Sequence, residues 1–226
     1  GLKFVRYADD FSIYVKSKAE AKTTGNKVYL YLRDKLKLTI NREKSGIRRP
    51  VHFEILGFKF ASTYSKGDKG KYQLTVGDKA WERLQQSLKS ITRKTSPISL
   101  AERIMKINEI QLGWLNYFRG ANIYSKLKTM DGWLRNRLRY CIWHDWKKPE
   151  RKRKNLIRLG VNQGDAYAWS RTRKGGWAVA QSPILITTIT LQRLKKRGYQ
   201  SLLEIYFKLN PSVCEPPYTR PVRTVV

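Results

Sequence analysis

The chain has 226 residues, 41% hydrophobic and 12% aromatic, which suffices for one large domain or two small ones and excludes disorder throughout. Its 47 Lys and Arg against 17 Asp and Glu give a formal charge of +30, self-repelling unless a polyanion neutralises it, so nucleic acid leads the partner classes. No run approaches the roughly 20 apolar residues of a spanning helix, no signal peptide is visible, and Cys141 and Cys214 form no Cys-x-x-Cys pair, so the expectation is a reducing cytoplasm with no membrane and no zinc site.

Leu2 to Arg6 and Phe11 to Val15 are apolar-rich runs on either side of Tyr7-Ala8-Asp9-Asp10, a pattern that predicts a β-hairpin with an acidic turn. Val28, Leu32 and Leu36 recur every fourth residue and predict a helix over about 18–37, weakened early by Thr23-Thr24-Gly25-Asn26. Leu38 to Ile40 alternates like a strand. Phe53, Ile55, Phe58 and Phe60 read as a further strand, interrupted at Gly57 by a bulge or a close approach. The Gly-, Lys- and Ser-rich stretch from Ser62 to Gly77 predicts a loop or surface hairpin and a domain boundary.

From Ala80 the period becomes helical. Trp81, Leu84, Leu88 and Ile91 share one face, and Ser96-Pro97 ends the pattern. Ser99-Leu100-Ala101-Glu102 is a capping-box signature ahead of a long helix that carries Ile104, Ile107, Trp114 and Phe118 and closes at Gly120. A third helix carries Leu127, Met130, Leu134, Leu138 and Ile142 and stops by Pro149, so the three predict a bundle. Ser182-Pro183 opens a helix over 184–196, although the β-branched run Ile184 to Thr190 also suits a strand. Gln200 to Leu209 predicts a last short helix, and the Pro-rich tail after it reads as irregular.

Two adjacent acids in a turn between apolar strands repel one another and are poorly solvated unless a cation sits beside them. Mg²⁺ takes carboxylate oxygens while leaving positions open for phosphates, and a pair of such ions serves phosphoryl transfer. An aromatic-small-Asp-Asp tetrapeptide recurs by chance, so its weight comes from its setting: the hairpin strands, the helix after it and the basic chain. From Lys126 to Lys174 the chain holds 15 Lys and Arg against 4 Asp and Glu, interleaved with Trp133, Tyr140, Trp143, Trp146, Tyr167 and Trp169. This is the signature of a nucleic-acid-binding surface or, more blandly, of a solvated basic face over a tryptophan core.

In order along the chain, Leu2 to Phe11, Leu36 to Ser45, Phe53 to Phe58, Gly113 to Phe118, Trp133 to Arg139 and Trp143 resemble successive blocks of the reverse transcriptases and maturases encoded by group II introns. The resemblance covers residues 1 to about 209. It implies an α+β fold: the end of a reverse-transcriptase palm over 1–77, an all-α maturase-specific thumb over 78–209, and an irregular tail over 210–226. It implies an RNA-directed DNA polymerase and intron maturase, with the alternative of a non-catalytic RNA-binding splicing cofactor. Asp9 and Asp10 would hold Mg²⁺ and carry the chemistry, Tyr7 and Ala8 would line the nucleotide and primer side, Lys44 would lie near phosphates or template, and Gly57 would admit the primer backbone.

The basic side chains of the thumb, Arg135, Arg137, Arg139, Lys147, Lys148, Arg151, Lys152, Arg153 and Lys154, are the RNA-binding candidates, although the three arginines alternate around one helix and cannot all face one strand. Each of the other assignments has a plainer reading: Tyr7 as core, Lys44 as a surface lysine, Trp114 and Phe118 as apolar packing. The implied partners are group II intron RNA, an RNA template with DNA primer, and dNTPs. The family's first metal-binding aspartate has no counterpart here, so a chain or segment supplying fingers and the rest of the palm is a further expected partner. After Leu209 only 17 residues remain, with one cysteine and no histidine, so the zinc-dependent endonuclease domain of many relatives is expected to be absent.

Overall fold

The computed structural model describes residues 2–41, 43–62 and 72–211, and the chain divides into two compact units between Phe53 and Glu54. It is mostly helical with small antiparallel sheets, the α+β class that the sequence predicts.

In the first unit, β1 (Lys3–Tyr7) pairs antiparallel with β2 (Asp10–Tyr14), running in register from Lys3 opposite Tyr14 to Tyr7 opposite Asp10. Helix α1 (Lys18–Leu30) starts at Ser17, whose Oγ accepts from the Glu20 amide at 3.1 Å while Glu20 Oε2 accepts from the Lys16 amide. Gly25 does not break the helix; a Cβ there would lie 3.3 Å from Ile47, so the glycine admits that side chain. The helix widens into a π turn over Tyr31–Lys35 and ends before Lys37, whose φ is +52°. Leu38 to Ile40 lies in no strand, contrary to expectation: alternation yields a strand only where a neighbour supplies the ladder. None of the described residues in this unit is buried.

The second unit begins with a three-stranded meander, β3 (Glu54–Ile55), β4 (Phe58–Ser62) and β5 (Tyr72–Val76). The expected interruption at Gly57 is a chain reversal. Leu56 and Gly57 have φ of +52° and +79° and link Ile55 directly to its partner Phe58. It is also a close approach, since a Cβ on Gly57 would stand 3.1 Å from the Phe118 ring. The compact units part at residue 53, whereas the expected division follows Gly77, because this meander packs on the helices. Phe58 meets Phe118 at 4.9 Å between ring centroids, and the Asn122 amide donates to the Leu74 carbonyl at 2.8 Å.

The three predicted helices are α2 (Asp78–Ile91), α3 (Leu100–Phe118) and α4 (Tyr124–Asp145). They bury the predicted stripes: Trp81, Leu84 and Leu88; Ile104, Ile107 and Phe118; Leu127, Leu134, Leu138 and Ile142. Trp114 is half-buried on the same stripe and stacks on Trp81 at 4.6 Å, in keeping with its reading as core. The capping box forms only in half: Ser99 Oγ accepts from the Glu102 amide, but the Glu102 carboxylate turns to Lys106.

Six shorter helices follow, α5 (Pro149–Arg158), α6 (Gln163–Ser170), α7 (Gly176–Ala180), α8 (Pro183–Thr188), α9 (Leu191–Lys195) and α10 (Leu202–Leu209). Pro149, which reads as a stop, is also the first residue of α5, where its missing N–H costs nothing. Between Ile184 and Thr190 the helix prevails over the strand. The Thr187 and Thr188 hydroxyls donate back to the carbonyls of Pro183 and Ile184 at 2.7 and 2.6 Å, while Leu185 and Ile189 enter the core. The loop expected over Ser62 to Gly77 is outside the described residues at 63–71, as is the irregular tail from 212 onward.

Candidate nucleic-acid interface

Two candidate regions stand on the two units. On the first, the acidic turn sits at the tip of the β1–β2 hairpin, with Tyr7, Ala8, Asp9 and Asp10 all exposed. Tyr7 is 62% exposed, which rules out the plainer reading of it as core within this chain. Ala8 takes φ of +52°, unfavourable for a residue with a Cβ, and its carbonyl accepts from Arg6 Nε at 2.9 Å, which fixes the turn from behind. The hairpin register thus brings both carboxylates to one loop. Lys44 lies in the same unit in a turn whose amide bonds to Asn41 Oδ1 at 3.2 Å, and its side chain is exposed. Gly57 belongs to the other unit.

Asp9 and Asp10 supply hard oxygen donors of the kind Mg²⁺ prefers. Among the described residues no group of three or more His, Cys, Asp or Glu side chains could hold a metal ion, so the pair fits such an ion only as part of a larger ligand set.

On the second unit the basic candidates separate by what they touch. Arg139 is 6% exposed; its Nε donates to the Ile189 carbonyl at 3.0 Å and its Nη1 to Asn136 Oδ1 at 2.8 Å. Arg137 Nη2 donates to the carbonyls of Lys89 and Thr92 at 3.2 and 2.7 Å, closing the C-terminus of α2. Both help hold the fold: Arg139 is buried and Arg137 half-buried, and their N–H groups go to protein acceptors. Arg103, unremarked in the sequence, works with Arg137. It is buried, and its guanidinium donates to the carbonyls of Ile91, the last residue of the same helix, and of Arg93 and Ser96 beyond it.

Arg135 is half-buried and helps hold the Asp131 carboxyl down electrostatically, against the stronger upward push of burial. Lys152 lies with its Nζ 4.4 Å above the Trp143 ring, and burial lowers its pKa from the ordinary lysine value. Arg153 pairs with Glu150 at 2.6 Å. These two have partners within the protein, an aromatic ring for Lys152 and a carboxylate for Arg153.

The remaining cations form the open surface. Arg151, Lys154 and Arg158 are exposed, make no ion pair among the described residues, and fall at spacings of three and four along α5. At about 1.5 Å per residue they make a ridge on the order of 10 Å long on one side of the helix. Leu156 is buried on the opposite side, which fixes the orientation of the ridge, and Lys147 and Lys148 extend the charge ahead of α5. Arg158 was legible as the next member of this spacing, but the apolar signal in the segment is confined to Leu156, Ile157 and Leu159, too little to mark a helix and hence its faces.

A ridge of unpaired cations on a rigid helix suits the phosphates of a nucleic-acid backbone. Among the described residues no helix is long and apolar enough to cross a membrane. Residues 81–160, which run from α2 through the end of α5, match the family model of the group II intron, maturase-specific domain. No curated protein matches the chain.

Proposed function

We propose that this chain, whose residues 81–160 match the maturase-specific domain of group II introns, binds group II intron RNA through the α5 ridge and so supports folding of the intron for splicing. The observation that carries this reading is the ridge itself: Arg151, Lys154 and Arg158 lie within the matched segment, exposed and without acidic partners among the described residues. Lys147 and Lys148 extend it, and Arg135, half-buried on α4, is a separate candidate.

Binding of a group II intron RNA to the full chain, titrated across salt concentrations, tests the reading. The triple substitution Arg151→Gln, Lys154→Gln, Arg158→Gln is expected to weaken binding at least tenfold and to lower the slope of log affinity against log salt by about 2 to 3, one phosphate contact per lost cation. An unchanged slope would remove the ridge from the interface.

The acidic hairpin favours a second, compatible reading, RNA-directed DNA synthesis. Asp9 and Asp10 would hold Mg²⁺, with Tyr7 and Ala8 on the nucleotide and primer side and Lys44 and Gly57 toward template and primer. Magnesium bound there would supply charge stabilisation to the attacking and leaving oxygens of nucleotidyl transfer. The protein's own part is to fix two carboxylates at one loop through the Tyr7–Asp10 register and the Arg6 to Ala8 hydrogen bond.

The first unit buries none of its described residues, and Phe4, Val5 and Tyr7 lie open on the hairpin. An isolated two-stranded hairpin is marginal in water, so a partner sheet carrying the remaining acid, from another segment or chain that also bears the fingers, is part of this reading. Primer extension on an RNA template with dNTPs and Mg²⁺, with such a segment supplied, should be lost in Asp9→Asn while intron RNA binding persists. DNA synthesis surviving in that variant would eliminate Asp9 as a ligand and leave the splicing cofactor alone.

A further inference from the structure

Helix α6 carries an aromatic and cationic pair that the α5 ridge does not include. Ala166 and Ser170 are buried and Trp169 packs against the core, so the inner side of α6 is fixed. Tyr167 is 53% exposed, and the guanidinium carbon of Arg171 lies 3.9 Å from the centre of its ring.

The surroundings leave the ring accessible. Helical side chains lean toward the preceding turn, and three residues before Tyr167 stands Gly164, where the sole atom near an added Cβ is Asn162 Oδ1 at 3.6 Å. The nearest acid on the helix, Asp165, is held by Asn162 through hydrogen bonds of 2.6 and 2.8 Å, in the N-cap of α6. Arg173 and Lys174 follow Arg171, both exposed and without an ion pair among the described residues.

A phosphate-binding surface alone has no use for an exposed aromatic face. Duplex RNA buries its base faces in the stack and offers phosphates and 2′-hydroxyls, whereas an unpaired base offers a π face that stacks on tyrosine or on a guanidinium plane. A tyrosine already stacked with an arginine, followed by two free cations, presents both kinds of contact within eight residues of chain.

We propose that Tyr167 and Arg171 form a stacking site for an unpaired base of the bound RNA, with Arg173 and Lys174 holding the phosphates that flank it. This rests on the RNA-binding reading above and narrows it: the α6 end of the domain takes a loop, bulge or single strand, while the α5 ridge takes backbone without regard to pairing.

The test uses the full chain with two RNAs of equal length, a stem-loop with 2-aminopurine in its loop and a fully paired duplex, at one salt concentration. Wild type is expected to change the loop fluorescence on binding, and Tyr167→Leu to lose that change and to bind the stem-loop about 5- to 100-fold more weakly. Its duplex affinity and its thermal melting should match wild type, and Tyr167→Phe should restore stem-loop binding, since Phe keeps the ring. Equal losses on both RNAs, or none on the stem-loop, would overturn the stacking site while leaving RNA binding intact. Failure of wild type to bind either RNA would overturn the RNA reading and this proposal together.

Discussion

Arg137 Nη2 donates a 2.7 Å hydrogen bond to the carbonyl of Thr92, joining the middle of α4 to the residue that ends α2. Its Nε also donates to Thr92 Oγ1 at 3.0 Å, and Arg103 on α3 donates to the carbonyls of Ile91, Arg93 and Ser96 on either side of it. A helix C-terminus leaves four carbonyls without intrahelical donors, and here two arginine forks from neighbouring helices meet part of that need. Arg137→Ala is expected to lower unfolding stability by about 2–3 kcal/mol, because partly buried acceptors lose a charged donor. Arg137→Lys should recover little of it, since a single ammonium cannot reproduce the fork. Urea unfolding measures the loss; intron RNA affinity measured on folded protein should stay within about twofold.

Asp131 lies on the apolar stripe of α4 yet is 1% exposed, and its carboxylate accepts from the amides of Leu202 and Leu203 at 2.8 and 3.1 Å and from the Tyr199 hydroxyl at 3.4 Å. It caps α10 from another helix. Asp131→Ala leaves those amides buried without acceptors and should cost about 2–3 kcal/mol, seen as earlier thermal unfolding. Burial raises the pKa of Asp131, against the downward pull of its hydrogen bonds. A raised folded-state pKa gives stability that is fully present below the unfolded value and declines as pH rises through the folded one. Asp131→Asn should therefore flatten that decline above pH 3.8, a comparison that stability curves against pH resolve.

Gly57→Ala should destabilise the protein by about 1–2 kcal/mol in the absence of any nucleic acid. The residue has φ of +79°, and the added methyl would meet the Phe118 ring at 3.1 Å. A melting temperature equal to wild type would show that the turn relaxes freely, and would return Gly57 to a role confined to primer contact.

Asp78, the first residue of α2, receives hydrogen bonds from Lys59 Nζ at 2.7 Å and Lys126 Nζ at 2.9 Å, which bring its pKa down to about 2. A depressed carboxylate pKa gives stability present above the unfolded value of 3.8 and lost as pH falls toward 2. The side chain is 65% exposed, so the contribution is small and screened by salt. The acid limb of the stability curve between pH 4 and 2 should be shallower in Asp78→Asn, and the difference should shrink at 1 M salt.

Periodicity alone located α2, α3 and α4, because large apolar residues at spacings of three and four have one physical solution in water: a helix with that face buried. The β1–β2 hairpin was equally legible, since apolar runs on both sides of an Asp-rich turn admit little else. What tertiary structure decided was the work of the polar side chains. Arg137, Arg139 and Arg151 look alike in sequence, yet the first two bond to backbone carbonyls inside the fold and the third has no ion pair among the described residues, a difference set by where α2 and α8 end relative to α4. The interruption at Gly57 became a reversal because Tyr117 and Phe118 hold the turn from a helix 61 residues away, the former through its hydroxyl to the Leu56 carbonyl at 3.1 Å. Local pattern carries the burial of apolar surface, which depends on neighbours in the chain; the partner of a hydrogen bond depends on neighbours in space.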